Sequence, residues 1–381
     1  MRKVLHIQKV KGISGSENHL LTLLPALRGF GFEPFMLAIA DAEDRPEEFV
    51  ERVGSLGVAA EVVRMRGDVD PLLVPALARR IRRIAPDLAH THLFHADLYG
   101  ALASGIAGTP CISTKHGWNP WRARALFGAL DRMAALRQRR IIAISKAIGR
   151  WLTCVEGLPV AKMRVVHYAL DAERFRAMGG SNAGGDAATG ALSTALSRPV
   201  VGCVTRLMEQ KGVHVLIEAF AACLKVHPTA SLVIAGDGPS RPRLERLARA
   251  PGIGEHVRFL GNVPHAHLGR IYESMDVFAF PSFGEGFGLA LLEAMAWGKP
   301  VAAARVMAIP EIVLDGETGF LMPPSDPAGL ARALLRLLGD EALRLRMGAA
   351  GRRRVEEAFT VERMARETAR VYEEALAEGP C

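Results

Sequence analysis

Residues 281–303 read PSFGEGFGLALLEAMAWGKPVAA, and the expected architecture follows from how that stretch must fold. The apolar run 277–280 before it has the length of a buried strand, and LALLEAMA within it reads as a helix. Between them lie Gly284, Gly286 and Gly288, which tolerate positive φ and let the backbone approach another group closely. The free N–H groups and positive dipole end at the start of that helix suit a phosphate. Glu285 stands just before this start. Glu293 sits further along, about 7–8 Å from Gly288 on the helix axis at 1.5 Å per residue. A carboxylate on each side of an anion site suits a sugar nucleotide: sugar hydroxyls, then diphosphate, then ribose hydroxyls. A glycosidase-like pair fits less well, because its carboxyls must flank one bond across a short gap.

Working outward, strand and helix patterns alternate along the chain. Short apolar runs at 4–7, 35–40, 88–91, 111–115 and 141–145 are separated by helical patterns at 18–28, 47–56, 72–84 and 96–107. After residues 179–197, rich in Gly, Ser and Ala, the alternation restarts with strands near 200–204, 231–235, 257–260, 277–280 and 300–304. Strands alternating with helices imply parallel sheets covered on both faces. The 381 residues exceed one ordinary core and suit two α/β domains. The expected division is an amino domain over 1–178, a linker over 179–197, a carboxyl domain over 198–361, and a last helix over 362–381 packing back on the amino domain. Open α/β sheets bind ligands beyond the carboxyl ends of their strands, which places the site in a cleft between the two domains.

Several further segments join the opening stretch. GCVTRLMEQKGVHVLIEAF runs from Gly202 to Phe220, LVIAGDGP from Leu232 to Pro239, and IPEIVLDGETGFLMPPSD from Ile309 to Asp326. Together they resemble the retaining family 4 glycosyltransferases with the two-domain GT-B fold, and the glutamate pair resembles that family's Ex7E element. The resemblance covers nearly the whole chain and is densest over 200–324. It implies two doubly wound Rossmann-like domains facing a central cleft, and transfer of a sugar from a nucleotide-sugar donor, UDP- or GDP-linked, to a glycan or lipid-linked acceptor. Arg206 and Lys211, after the first strand of the carboxyl domain, are then expected to grip the diphosphate, as two cations at a strand's end can. Glu285 is expected on the transferred sugar, Glu293 on the ribose, and Phe287, Gly288 and Leu289 beside the donor through the helix start. From the amino domain, Gly15 and Ser16 in the first βα turn are expected near the donor phosphate, and His116 near the sugar. A neutral imidazole there can bond a hydroxyl without acting as a general base.

Two departures from the family pattern stand out. The usual Asn-Gly after the last amino-domain strand is replaced by His167 and Tyr168, and the usual glycine before the Pro-Glu pair is Ala308. His90, His92 and His95 (HTHLFH) give no fixed ligand set, so no metal and no cofactor are expected. Asp68 and Asp70 resemble a metal-binding DxD, but the Pro71 that follows marks them as a helix start.

Composition sets the remaining bounds. Residues 1–170 hold 24 Lys+Arg against 15 Asp+Glu, while the rest hold 24 against 25, so the +8 net charge belongs to the first part. Such an excess suits an anionic acceptor or membrane surface. The segment 118–140 adds Trp118, Trp121, Phe127 and Met133 to six arginines, a pattern that fits either peripheral contact with an anionic membrane or an ordinary packed helix. Aromatic residues at 6% disfavour a stacking-rich nucleic-acid surface. Five cysteines without paired spacing fit a reducing cytosol, as buried apolar groups. The first residues do not read as a signal peptide. The expectation is a soluble cytoplasmic hexosyltransferase of envelope polysaccharide or lipopolysaccharide synthesis. Its rivals are a sugar-nucleotide epimerase or phosphorylase, and a non-catalytic basic module for membrane or nucleic acid.

Overall fold

The computed structural model describes residues 1–67, 69–118, 125–179 and 196–379. They form two compact units, Met1–Ala169 with Val361–Cys381, and Leu170–Thr360. The first contains strands β1 (Arg2–Lys9), β2 (Phe32–Ala40), β3 (Ala59–Arg64), β4 (Leu88–His92), β5 (Cys111–Lys115), β6 (Ile141–Ala143) and β7 (Met163–Val165). They lie in the order β3-β2-β1-β4-β5-β6-β7, and every pairing is parallel.

A parallel sheet is covered on both faces, so its strands are apolar on both. On one face Val4, Leu88, Ile112 and Ile142 pack with Leu23 and Leu27 and with Met364, Ala365, Ala369 and Tyr372 of the last helix, Val361–Ala377. On the other, Leu5, Ile7, Leu37 and Ile39 meet Leu73, Leu77 and Ile81. The last helix is tied to this unit by side chains from 139–140. Arg139 donates to the carbonyls of Ala375 (2.6 Å) and Glu378 (2.5 Å), and Arg140 pairs with Glu374 (3.0 Å). A buried guanidinium there satisfies carbonyls that the helix end leaves open.

The second unit carries β8 (Val200–Val204), β9 (Ser231–Ala235), β10 (Val257–Gly261), β11 (Val277–Phe280), β12 (Val301–Ala304) and β13 (Gly319–Met322), again all parallel, in the order β10-β9-β8-β11-β12-β13. Its boundary corrects the expected one. The helix Ala172–Gly179 belongs here, because Phe175 packs against the Tyr272 ring (5.9 Å) and Arg176 bonds the Ala296 carbonyl (3.3 Å) and Glu356 (3.0 Å). The break therefore falls between Ala169 and Leu170. Residues 180–195 of the expected linker lie outside the described residues.

Strand order reverses between β1 and β4 in the first sheet and between β8 and β11 in the second. At such a reversal the connecting loops diverge to opposite faces and leave a crevice beyond the strand ends. Cys111, Cys203 and Cys223 are buried, as expected, whereas Cys154 is exposed. Burial pushes the Cys203 and Cys223 thiols up to about 12, which keeps them inert.

Candidate functional site

In the second unit the loops leaving β8 and β11 are stitched together. Phe283 donates its N–H to the Gln210 carbonyl at 2.8 Å. Gly212 has φ +65°, and a Cβ there would lie 2.2 Å from the Pro281 carbonyl oxygen, so only glycine lets these loops meet. The contact sets Lys211 beside Glu285, Nζ to Oε2 2.7 Å, with 11% and 16% of the side chains exposed. Separate partners were expected for these two residues; the structure gives them to each other. Arg206 is exposed, and its guanidinium makes no hydrogen bond or ion pair to another described residue.

The helix Leu289–Ala296 opens at Gly288, where φ is +103°. A Cβ at Gly288 would stand 2.9 Å from Leu291 Cδ1 and 3.3 Å from Glu285 Cγ, so the Glu285 stem lies directly over the turn. Phe287 is buried edge-on against Phe359 at 5.9 Å, which anchors the turn in the core and turns its ring inward. Leu289 is half-buried. Glu293 is 8% exposed and accepts a 2.7 Å bond from the hydroxyl of fully buried Tyr272. Its other oxygen lies 3.7 Å from His265. Burial first, then the Glu293 charge, pushes the Tyr272 hydroxyl well above its ordinary range and so keeps it a donor. Sequence reasoning missed Tyr272 and His265. Neither belongs to a motif, and Tyr272 reads as a core aromatic.

In the first unit, the helix Gly15–Ala26 begins at exposed Gly15 and is capped from within. Glu17 accepts the Ser14 N–H (3.0 Å) and the Ser14 and Ser16 hydroxyls (2.5 and 3.1 Å), while its other oxygen accepts from Gln8 (2.5 Å). This capping box places a buried carboxylate at the helix start. Ser16, expected near the donor, spends its hydroxyl on Glu17.

His116, at the end of β5, is engaged through both ring nitrogens. Nε2 meets His92 Nδ1 at 2.9 Å and Nδ1 meets the Tyr168 hydroxyl. Behind it, His92 Nε2 meets His6 Nδ1 at 3.0 Å. His6 Nε2 lies 3.3 Å from the Tyr372 hydroxyl, which also meets His90 Nδ1 at 2.8 Å, and His90 Nε2 meets Thr114 at 2.7 Å. Register explains the grouping: His6 pairs with His90 across β1 and β4, and His92 with Thr114 across β4 and β5. Burial pushes His6 and His19 down to about 3, and His90 and His92 well below their ordinary range, so these rings are neutral at pH 7.

Thus His6 replaces His95 in the histidine cluster. His6, His90 and His92 bring ligand atoms within 4.8 Å of one another, but a cation there would need lone pairs that the contacts above already use. Of the DxD pair, Asp68 lies outside the described residues. Asp70 is buried and accepts the N–H groups of Arg66 (2.9 Å) and Leu72 (3.0 Å), one on each oxygen, as a local cap. In the basic segment, residues 119–124 lie outside the described residues, and Arg139 and Arg140 are committed to the last helix. Arg132, Met133, Leu136 and Arg137 remain exposed. Ala308 is fully buried, and its neighbour Met307 takes φ +41°. No described helix is long and apolar enough to cross a membrane.

Comparison with known proteins follows the same two halves. The model described as "Glycosyltransferase Family 4" matches residues 13–174, and "Glycosyl transferases group 1" matches residues 190–354. The D-inositol 3-phosphate glycosyltransferase of Corynebacterium urealyticum is 39% identical over 194 residues, 49% of this chain and 45% of that one. That of Corynebacterium jeikeium is 32% identical over 282 residues, 70% of this chain and 67% of that one. The chain therefore spans less than half the length of the first relative. Anabaena HepE, solved with UDP-glucose, shares the fold, with TM-score 0.80 and 22% identity over 98% of this chain and 100% of that one.

Proposed function

The chain belongs to glycosyltransferase family 4, with the GT-B fold, and from that premise we propose a retaining, metal-independent enzyme that moves a hexose from a nucleotide sugar to a glycan or lipid-linked acceptor. The observation that carries this reading is the stitched pair of loops at the β8/β11 reversal. It holds Lys211, Glu285 and the Gly288 helix start as one construction, with Arg206 exposed on the same β8 loop.

In this reading Arg206 and Lys211 stabilise the departing diphosphate, aided by N–H groups around Phe287, Gly288 and Leu289. Glu285 holds the Lys211 ammonium in place before the donor arrives, then turns its oxygens to sugar hydroxyls. Glu293, held by Tyr272, accepts from the ribose. His116 and the turn at Gly15 and Ser16 serve the sugar and acceptor side. The UDP-glucose complex of HepE favours uridine over guanosine in the donor. The basic excess in residues 1–170 favours an anionic acceptor, either an envelope saccharide of the lipopolysaccharide kind or, by analogy with the inositol phosphate relatives, a phosphorylated polyol. Exposed Met133 and Leu136 between Arg132 and Arg137 favour peripheral contact with an anionic membrane.

A thermal-shift panel of UDP-, GDP- and ADP-sugars tests the reading. A donor at a hundred times its Kd adds about 2.7 kcal/mol, a rise of about 5–10 °C for a unit of this size. No shift with any donor, or wild-type sugar transfer by both Glu285→Ala and Lys211→Ala, refutes it. Proton NMR of the product anomer tests retention, and undiminished turnover in EDTA tests metal independence.

A further inference from the structure

Hydrogen bonds of the first unit join in a line running from Thr114 through His90, Tyr372, His6 and His92 to His116 and Tyr168. A neutral imidazole has one N–H and one lone pair. Each ring that accepts on one side must therefore donate on the other, and the direction chosen at one end is imposed on the next ring. Tyr372 has a single hydroxyl proton and two histidine neighbours. Its 2.8 Å approach to His90 suits an O–H donor, and its 3.3 Å approach to His6 suits a longer N–H···O contact. Tyr372 thus donates to His90 and accepts from His6 Nε2–H. His6 Nδ1 then accepts from His92 Nε2–H, and His92 Nδ1 from His116 Nε2–H. His116 Nδ1 accepts from the Tyr168 hydroxyl, which burial and the Glu17 charge keep protonated.

We propose that Tyr372, carried by the last helix, is a positioning residue that sets through His6 and His92 which ring nitrogen of His116 holds the proton. Tyr372 lies three hydrogen bonds from His116 and acts only through the rings between them. Tyr168, one of the two departures from the family pattern, closes the far end of the line and holds the ring that Tyr372 has set. Removing the Tyr372 hydroxyl leaves His6 Nε2 facing a phenyl ring. An orphan N–H costs most where burial is complete, so His6, fully buried, turns its proton to Nδ1; the line reverses to make His116 the Nδ1–H tautomer, and the spare donor becomes the O–H of Tyr168, which now accepts from His116 and is 5% exposed.

The test uses the full chain labelled with 15N-histidine, wild type and Tyr372→Phe, with the His116 resonances identified by their loss in His116→Gln. Long-range 1H–15N spectra distinguish the tautomers directly. The expected result is an Nε2–H ring in the wild type and an Nδ1–H ring in Tyr372→Phe. An unchanged His116 tautomer overturns the proposal. In a His6→Phe background, Tyr372→Phe should leave His116 unmoved; a change there means the effect travels by repacking, and it also overturns the proposal. Zinc binding to the wild type at stoichiometric concentration, seen as loss of the His6, His90 and His92 signals, does the same. The kinetic consequence alone rests on the role proposed for His116: kcat falls several-fold in Tyr372→Phe with donor KM unchanged. A reversed ring with unaltered kcat supports the relay and counts against that role for His116.

Discussion

Replacing Tyr272 by Phe removes one hydroxyl and little else. The ring is fully buried between Phe175 (5.9 Å) and Phe278 (5.7 Å), and Phe keeps those contacts. What disappears is the 2.7 Å donor to Glu293, a carboxylate only 8% exposed. A hydrogen bond to a charged group contributes about 1.5–3 kcal/mol, and a buried acceptor that loses its donor keeps its desolvation cost. For a unit the size of Leu170–Thr360, each kcal/mol lowers the melting temperature by about 2–4 °C, so the variant should melt roughly 3–12 °C below wild type. If Glu293 orders the ribose, donor Kd should also rise, by up to about tenfold for each 1.4 kcal/mol of the lost order. Calorimetry gives the first quantity and donor titration the second. Combining Tyr272→Phe with Glu293→Ala closes a double-mutant cycle, whose coupling should recover most of the single-mutant loss. An unchanged melting temperature together with an unchanged Kd would refute the assignment of Tyr272 as the support of Glu293.

Gly212→Ala places a Cβ at 2.2 Å from the Pro281 carbonyl at φ +65°, so the β8 and β11 loops must part; donor-induced thermal shifts should vanish, and a wild-type shift would contradict the stitched-loop geometry. Lys115, fully buried, pairs with Asp97 (2.8 Å) and Asp131 (2.7 Å), and Lys115→Met deprives both carboxylates of their shared cation at a cost of about 3–5 kcal/mol, measurable by denaturant unfolding; a loss under 1 kcal/mol, roughly what an exposed pair gives, would be too small for this site. The buried rings His6 and His19 refuse protons until about pH 3, whereas unfolded histidine binds them near 6.5. Stability should therefore fall as pH drops below about 6.5, by roughly 1.4 kcal/mol per unit for each ring, and His19→Phe should flatten the slope by that amount; a melting temperature constant from pH 7 to 4.5 would argue against neutral burial. Arg139→Met should speed amide exchange in the final turn of Val361–Ala377, since the carbonyls of Ala375 and Glu378 lose their donor.

The fold was legible because alternation of strand and helix patterns is a local property. Val277–Phe280 and the helix opening at Gly288 can be read from neighbouring residues alone. Glycine, glutamate and cation types also point to a phosphate site, and the structure brings Gly288, Glu285 and Lys211 together on neighbouring loops. What stayed hidden depends on register and on long-range partners. His6 joins His90 only because β1 and β4 pair in that register, far apart in sequence. The Lys211–Glu285 pair arises from the contact at Gly212, which neither residue's surroundings disclose. The arginines of 139–140 read as surface charge until the last helix is seen to end on them. The unit boundary was missed because residues 170–179 are helical and polar, and only Phe175 and Arg176 in their packed positions show which unit they join.

The chain enters the second unit at Leu170 and leaves it near Phe359, and the N–H of Leu170 donates to the carbonyl of Phe359 at 3.0 Å. Entry and exit are therefore neighbours, so Leu170–Thr360 is built as a cassette spliced into its host at a single place. Such a module can be swapped for another with the same paired ends without rethreading either sheet. If the proposed division of labour holds, grafting a relative's cassette would change which activated sugar is spent while leaving the recipient's choice of receiving molecule intact.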